Sequence, residues 1–309
     1  MWNVGGVGSL EMGEGNRSVT RTVGEAAAEC TVDSLIERYD IFLLDAYGVL
    51  VTTRGPLPGA ATFLDRLDRE GRAWMIVSND ASRSIDTTVA RYRDFGLPVT
   101  ADRVLTSGAL LGGYFEREGL AGSRCVVLGT AESREYVRDA GGLVVDPGDD
   151  SASVCVVCGV YNEPGASFLD TVNRTISLLL RRLGAGQPMR FILPNPDVVY
   201  PTDVGTFAFT AGGLAALLEA VIRLRDPDGL IRFEPLGKPY APMFDAALDR
   251  VGHPDPRRVV MVGDQLVTDV LGASRAGLDS VLIETGVSQR PDLERAPATP
   301  TWLLRSLLA

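Results

Sequence analysis

Several polar side chains stand where apolar runs end. Asp45 closes IFLLD, Ser78 and Asn79 close AWMIVSN, and Asp264 closes RVVMVGD, with Asp269 five residues further on. Lys238, in GKP, is the only lysine among 30 basic residues. A chain that uses arginine nearly everywhere else keeps one compact ammonium where a planar guanidinium will not serve. Asp45, Asp264 and Asp269, if gathered, bring like charges close together. Such a group needs a cation, and hard oxygen donors favour Mg²⁺. An ammonium and a serine hydroxyl beside that ion make a place for phosphate. There Asp45 can attack phosphorus and form an aspartyl-phosphate that water then hydrolyses. Each residue alone reads as an ordinary helix cap; together they are harder to explain that way.

The elements that must position them alternate along the chain. IFLLD leads through a turn-rich TTRGPLPG to a helical AATFLDRLDREG, and AWMIVSND to a helical SRSIDTTVARYRDFG. RVVMVGD and DSVLIETG flank TDVLGASRAG near the end. Continuous apolar strands alternating with helices predict an α/β fold: a parallel, Rossmann-like sheet covered on both faces. Ligands in such sheets lie beyond the C-terminal strand ends, where the polar residues sit. The middle has its own apolar runs, CVVLGT, VCVVCGV and RFILPNPD, and the helix FLDTVNRTISLLLRRLG. The expected organisation is a partly flexible N-terminal extension (1–32), a core (33–119 and 234–309) and a smaller inserted α/β domain (120–233).

Composition excludes several classes. A net charge of −10 argues against a nucleic-acid or acidic-membrane partner. No apolar run approaches the roughly 20 residues of a membrane span, and the N-terminal stretch lacks the pattern of a secretory signal. Cys155 and Cys158 lie three apart on a strand and so on opposite faces, which predicts core thiols and fits a reducing, cytoplasmic compartment. The single histidine, His253, sits in a loop-like VGHPDP and builds neither a multi-histidine metal site nor a serine triad.

Taken in order, DAYGVL (45–50) with GPLPGA (55–60), VSNDASRS (77–84), GKP (237–239) and GDQLVTD (263–269) with GASRAGLDSVLIETGV resemble the haloacid dehalogenase superfamily of hydrolases. The similarity is to its NagD-like, sugar-phosphatase-like subclass and runs from about residue 33 onward. It implies that Asp45 is nucleophile and Mg²⁺ ligand, with the Tyr47 backbone carbonyl as a second ligand. It implies that Ser78 and Asn79 bind the transferring phosphoryl group and that Lys238 holds phosphate and nucleophile together. Asp264 would ligate Mg²⁺, and Asp269 would ligate it or orient its waters. The inserted domain would be a cap that selects the substrate, a small phosphorylated metabolite, and such caps often pair in homodimers. PNPD (194–197) resembles the cap motif Thr-Asn-Pro-Asp with Pro194 in place of threonine, which would bring Asn195 and Asp197 to the substrate.

Position 47 departs from the pattern. Phosphatases of the superfamily carry a second aspartate two residues after the nucleophile, and such a general acid is typically worth about 10²–10⁴ in rate. A phenol with an ordinary pKa near ~10 donates weakly and is a poor base at neutral pH. The first expectation is a Mg²⁺-dependent phosphatase of a small phosphomonoester, helped by Tyr47 or a cap residue. The alternative is a phospho-ligand-binding or regulatory protein with weak or vestigial catalysis. A dehalogenase also resembles Asp-x-Tyr-Gly, but lacks the paired acids that Asp264 and Asp269 represent.

Overall fold

The computed structural model describes residues 27–160, 167–203 and 206–308. The strands are β1 (Ala28–Glu29), β2 (Ile41–Leu44), β3 (Ala73–Ser78), β4 (Val104–Thr106), β5 (Arg124–Leu128), β6 (Leu143–Val144), β7 (Val154–Val157), β8 (Arg190–Leu193), β9 (Val199–Asp203), β10 (Thr206–Phe209), β11 (Glu234–Pro235), β12 (Val259–Gly263), β13 (Asp279–Ile283) and β14 (Trp302–Leu304). The helices are α1 (Val32–Arg38), α2 (Ala60–Arg69), α3 (Ile85–Asp94), α4 (Leu110–Glu118), α5 (Ala131–Asp139), α6 (Phe168–Gly184), α7 (Ala211–Ile222), α8 (Ala241–Arg250) and α9 (Leu271–Arg275).

Seven strands form one parallel sheet in the order β1-β14-β13-β12-β2-β3-β4. β2 shows why the strands had to be apolar throughout. Phe42 and Leu44 point into the layer capped by α1, α2 and α3, while Ile41 and Leu43 point into the layer under α8 and α9. Both faces of the strand are therefore buried, and alternation disappears from the sequence. Five strands form a second parallel sheet, β11-β8-β7-β5-β6. It lies between α4 and α5 on one face and α6 and α7 on the other. β9 and β10 form a separate antiparallel hairpin.

Three details differ from the sequence reading. Residues 1–26 of the expected N-terminal extension lie outside the described residues, but Ala28 and Glu29 pair with Trp302 and Leu303 and extend the edge of the larger sheet. Glu234 and Pro235 pair with Ile192 and Leu193, so the second sheet takes in chain beyond residue 233. TDVLGASRAG carries α9, but that helix is entered through a wide turn that the sequence does not signal, in which Val270 N–H donates to the Gln265 carbonyl at 3.2 Å. Such wide turns recur at functional sites because they re-aim a side chain.

All four cysteines are free. Cys155 packs with the α6–α7 layer and Cys158 with the α4–α5 layer, on opposite faces of their sheet. His253 is exposed, 2.9 Å from Asp249 one turn earlier. Among the described residues, no helix is long and apolar enough to cross a membrane.

Candidate active site

β12, β2 and β3 are adjacent in the larger sheet, so their C-terminal ends open side by side. Leu44 stands in register with Val262 on one side and Ile76 on the other. One residue beyond this row are Asp45 and the Gly263–Asp264 turn; two beyond it is Ser78, followed by Asn79. Strand adjacency thus brings together residues that lie some 220 positions apart in the chain.

At the centre is Lys238, whose side chain is 2% exposed, with Nζ 2.8 Å from Asp45 Oδ1 and 2.7 Å from Asp269 Oδ1. Burial pulls the ammonium's pKa down, but the charges of Asp269 and Asp45 outweigh it and the pKa is raised. Asp45 Oδ1 also accepts from the Ala46 N–H at 2.7 Å. Oδ1 is thereby fixed, and no hydrogen bond among the described residues reaches Oδ2. Burial, opposed by Lys238 and reinforced by Asp269, pushes the Asp45 carboxyl up to about 7.

Asp45, Asp264 and Asp269 are all buried and each offers an oxygen within 4.8 Å of the others. Burial, then the charges of Asp45 and Asp269, push the Asp264 carboxyl well above its ordinary range. Its Oδ2 accepts from the Val287 N–H at 2.8 Å, while its Oδ1 is buried with no hydrogen-bond partner. Asp269 Oδ2 accepts from the Gln265 N–H at 3.1 Å across the wide turn. The orphaned Asp264 oxygen is the test of fit for a metal. A buried carboxylate oxygen without a donor is costly unless a cation meets it. The donors are hard oxygens, as Mg²⁺ requires. The Tyr47 carbonyl accepts no hydrogen bond from the described residues and is free to join them. The chain also clears space around Asp264. A Cβ on Gly48, at φ 80°, would lie 2.3 Å from Asp264 Oδ2, and one on Gly286 2.0 Å from it. These acids and the carbonyl fit a hard divalent cation.

Ser78 lies at the mouth of this cluster, its Oγ accepting from the Asp80 N–H at 3.3 Å. Asn79 is more tightly engaged than its expected role suggests. Its Oδ1 accepts from the Lys238 N–H at 2.7 Å, and its Nδ2 donates to the Lys238 carbonyl at 3.0 Å and to Asp197 Oδ1 at 2.9 Å. The amide therefore fixes the lysine's backbone and ties it to the second domain. Asn195 Oδ1 accepts from the Asp197 N–H at 2.9 Å, closing the PNPD turn over the site. Burial pushes the Asp197 carboxyl up to about 6, with the Asn79 bond pulling the other way.

A cavity of about 350 Å³ runs outward from the acids. Asp45, Tyr47, Ser78, Asn79, Lys238 and Asp264 line its core side, Asn195, Asp197, Tyr200 and Thr210 its other side. Asp269 lies behind Lys238, fully buried. Tyr47 is half-buried beneath Arg91, whose guanidinium carbon is 5.6 Å from the ring centroid. Burial raises the phenol's pKa further above 10, against the pull of Arg83 and Arg91. Among the residues that sequence reasoning missed are Asp80, Arg83 and Arg91, which also line this cavity. Asp80 and Arg83 lie within a motif already singled out; Arg91 reaches the cavity from α3 and carries no local signal.

The chain is similar to known hydrolases in sequence and fold. A haloacid dehalogenase-like hydrolase family model matches residues 42–142 and a HAD-hydrolase-like model residues 235–309. Dihydroxyacetone phosphatase of Corynebacterium glutamicum is 29% identical over 268 residues, 86% of this chain and 88% of that protein. The crystal structure of a possible sugar phosphatase of the HAD superfamily from Cytophaga hutchinsonii superposes with a TM-score of 0.79 at 29% identity, over 92% of this chain and 99% of that one. NagD from Escherichia coli shares the fold, with a TM-score of 0.70 at 24% identity over 87% and 97% of the two chains.

Proposed function

We propose, from the match of haloacid dehalogenase-like hydrolase models to residues 42–142 and 235–309, that the chain is a metal-dependent phosphatase acting on a small phosphomonoester through an aspartyl-phosphate at Asp45. The observation that carries this reading is the buried Asp45–Lys238–Asp269 ion-pair chain beside the orphaned Asp264 oxygen. The similar phosphatases favour turnover over a binding-only role.

Asp45, Asp264, Asp269 and the Tyr47 carbonyl would hold the ion, which when bound supplies positive charge that neutralises both carboxylates and phosphate oxygens. Lys238 fixes Asp45 Oδ1 and leaves Oδ2 to form the new bond to phosphorus as the bond to the leaving oxygen breaks. Ser78 offers its hydroxyl to the phosphoryl oxygens. Asn79 positions Lys238 through both amide ends. The leaving oxygen takes up a proton, and water later attacks the aspartyl-phosphate, freeing phosphate and Asp45. Tyr47 is a weak donor for the first step and a poor base for the second, so hydrolysis of the intermediate is the slow step for an ester whose leaving group needs no proton. Asn195 and Asp197 close the cavity from the cap, so the leaving group is bounded by the cavity.

Phosphate release from a panel of phosphorylated sugars and polyols, with Mg²⁺ and with EDTA, tests the reading. Release should require the metal and vanish in Asp45→Asn. Undiminished release in Asp45→Asn would refute the nucleophile assignment, and metal-independent release the cation site.

A further inference from the structure

Tyr47, Arg83 and Arg91 line one wall of the cavity, and the reaction as described leaves both guanidinium groups unused. The two arginines differ in state. Arg83 is neutralised, with Nη1 2.9 Å from Asp80 Oδ2. Asp80 Oδ1 is itself saturated by the N–H and hydroxyl of Ser82, at 2.7 and 2.6 Å. Arg91 has no carboxylate partner among the described residues. Its Nη2 donates to the Thr53 carbonyl at 3.2 Å, and its guanidinium carbon sits 5.6 Å from the Tyr47 ring and 5.2 Å from the Phe95 ring.

Two aromatic faces thus hold a half-buried guanidinium in place. A guanidinium has five N–H donors in one plane, and the Thr53 carbonyl and the Tyr47 hydroxyl engage only two of them here. Held rigidly, it loses little entropy on binding, and its fork matches a carboxylate bidentately. With Arg83 cancelled by Asp80, the arginine pair and its aspartate carry a net charge of one. That balance suits a monoanionic carboxylate better than a dianionic phosphate, which would also meet Asp80.

We infer that this wall is a second anion subsite, and that the preferred substrate is a phosphorylated hydroxy acid, whose carboxylate Arg91 receives, rather than a neutral sugar or polyol phosphate. The phosphate end of this inference rests on the hydrolase reading; the wall does not. It also assigns a purpose to the aromatic residue at position 47: the Tyr47 ring is one of the two platforms that hold the arginine.

The test uses two esters with the same skeleton, 3-phosphoglycerate and glycerol 3-phosphate, which differ in a carboxylate against a hydroxymethyl. Binding of each to Asp45→Asn with Mg²⁺ is measured by calorimetry, and hydrolysis of each by the wild-type protein. The carboxylate ester should bind about tenfold more tightly or better. That advantage should fall to near one when Arg91→Met is added, and persist in part with Arg91→Lys. Equal binding of the two, tighter binding of glycerol 3-phosphate, or no binding of either overturns the subsite. The wild-type comparison decides this even if an arginine variant fails to fold. Tighter binding of 3-phosphoglycerate with no phosphate released from either ester upholds the subsite and counts against the hydrolase reading. Release from either ester without the binding preference leaves that reading standing and removes the subsite.

Discussion

Replacing Lys238 by methionine removes a buried ammonium from between two carboxylates while keeping most of its volume. At 2.8 and 2.7 Å, each contact carries about 6 kcal/mol of Coulomb attraction at an effective dielectric constant of ~20. Desolvation of each ion, several kcal/mol, consumes most of that. The measurable effect is therefore smaller: breaking a buried pair from one side typically costs about 3–5 kcal/mol. Asp45, Asp264 and Asp269 would then face one another with nothing between them, and taking up a proton is their only relief in EDTA. The lysine's contribution is at full strength at pH 7, because its pKa is raised above the ordinary 10.5 and the stabilisation is lost only as pH rises past that value. Urea unfolding of wild type and Lys238→Met should differ by about 3–5 kcal/mol in EDTA. Mg²⁺ should restore part of the loss, since an ion at 100 times its Kd adds about 2.7 kcal/mol. Equal stability of the two proteins in EDTA would refute the reasoning, because the acids would then be neutral without the lysine. Lys238→Arg should also lose activity, as a larger fork at a 2%-exposed position forces its neighbours apart.

Two further outcomes follow from the site. The wild-type protein should show a burst of leaving group followed by slow turnover, and Tyr47→Asp should raise steady-state turnover by about 10²-fold; stopped-flow with a chromogenic aryl phosphate reads both, and an unchanged rate would mean that another group already moves the proton. The raised pKa of Asp197, about 6 against an ordinary 3.8, means the folded state holds a proton there that the unfolded chain has released. Stability in EDTA should therefore fall as pH rises from about 4 to about 6, and Asp197→Asn, which can still accept from Asn79, should flatten that slope; an identical slope in the variant would show that other groups carry it.

The sequence by itself determined the class of fold and picked out most of the residues that the structure gathers at one place. Continuous apolar runs such as IFLL and VVMVG can be satisfied only by a sheet buried on both faces, and the polar residue after each run has only the open C-terminal end to occupy. That logic needs no long-range information, so Asp45, Ser78 and Asp264 were legible in a single reading, and Lys238 stood out as the only lysine. The tertiary structure decided what those residues do to one another. Nothing local says that β12 lies beside β2 although they are over 200 residues apart, or that Asn79 spends its amide on the backbone of Lys238. Short edge strands such as Ala28–Glu29 and Glu234–Pro235 are too brief to carry a periodic signal, and pairing alone defines them. Arg91 is the sharpest case. One arginine among many on an amphipathic helix looks like solvated surface, and only the packing of α3 against the Tyr47 loop turns its charge toward the cavity. Local sequence fixes which face of an element is apolar; the polar groups that meet in a cavity are set by how those faces pack.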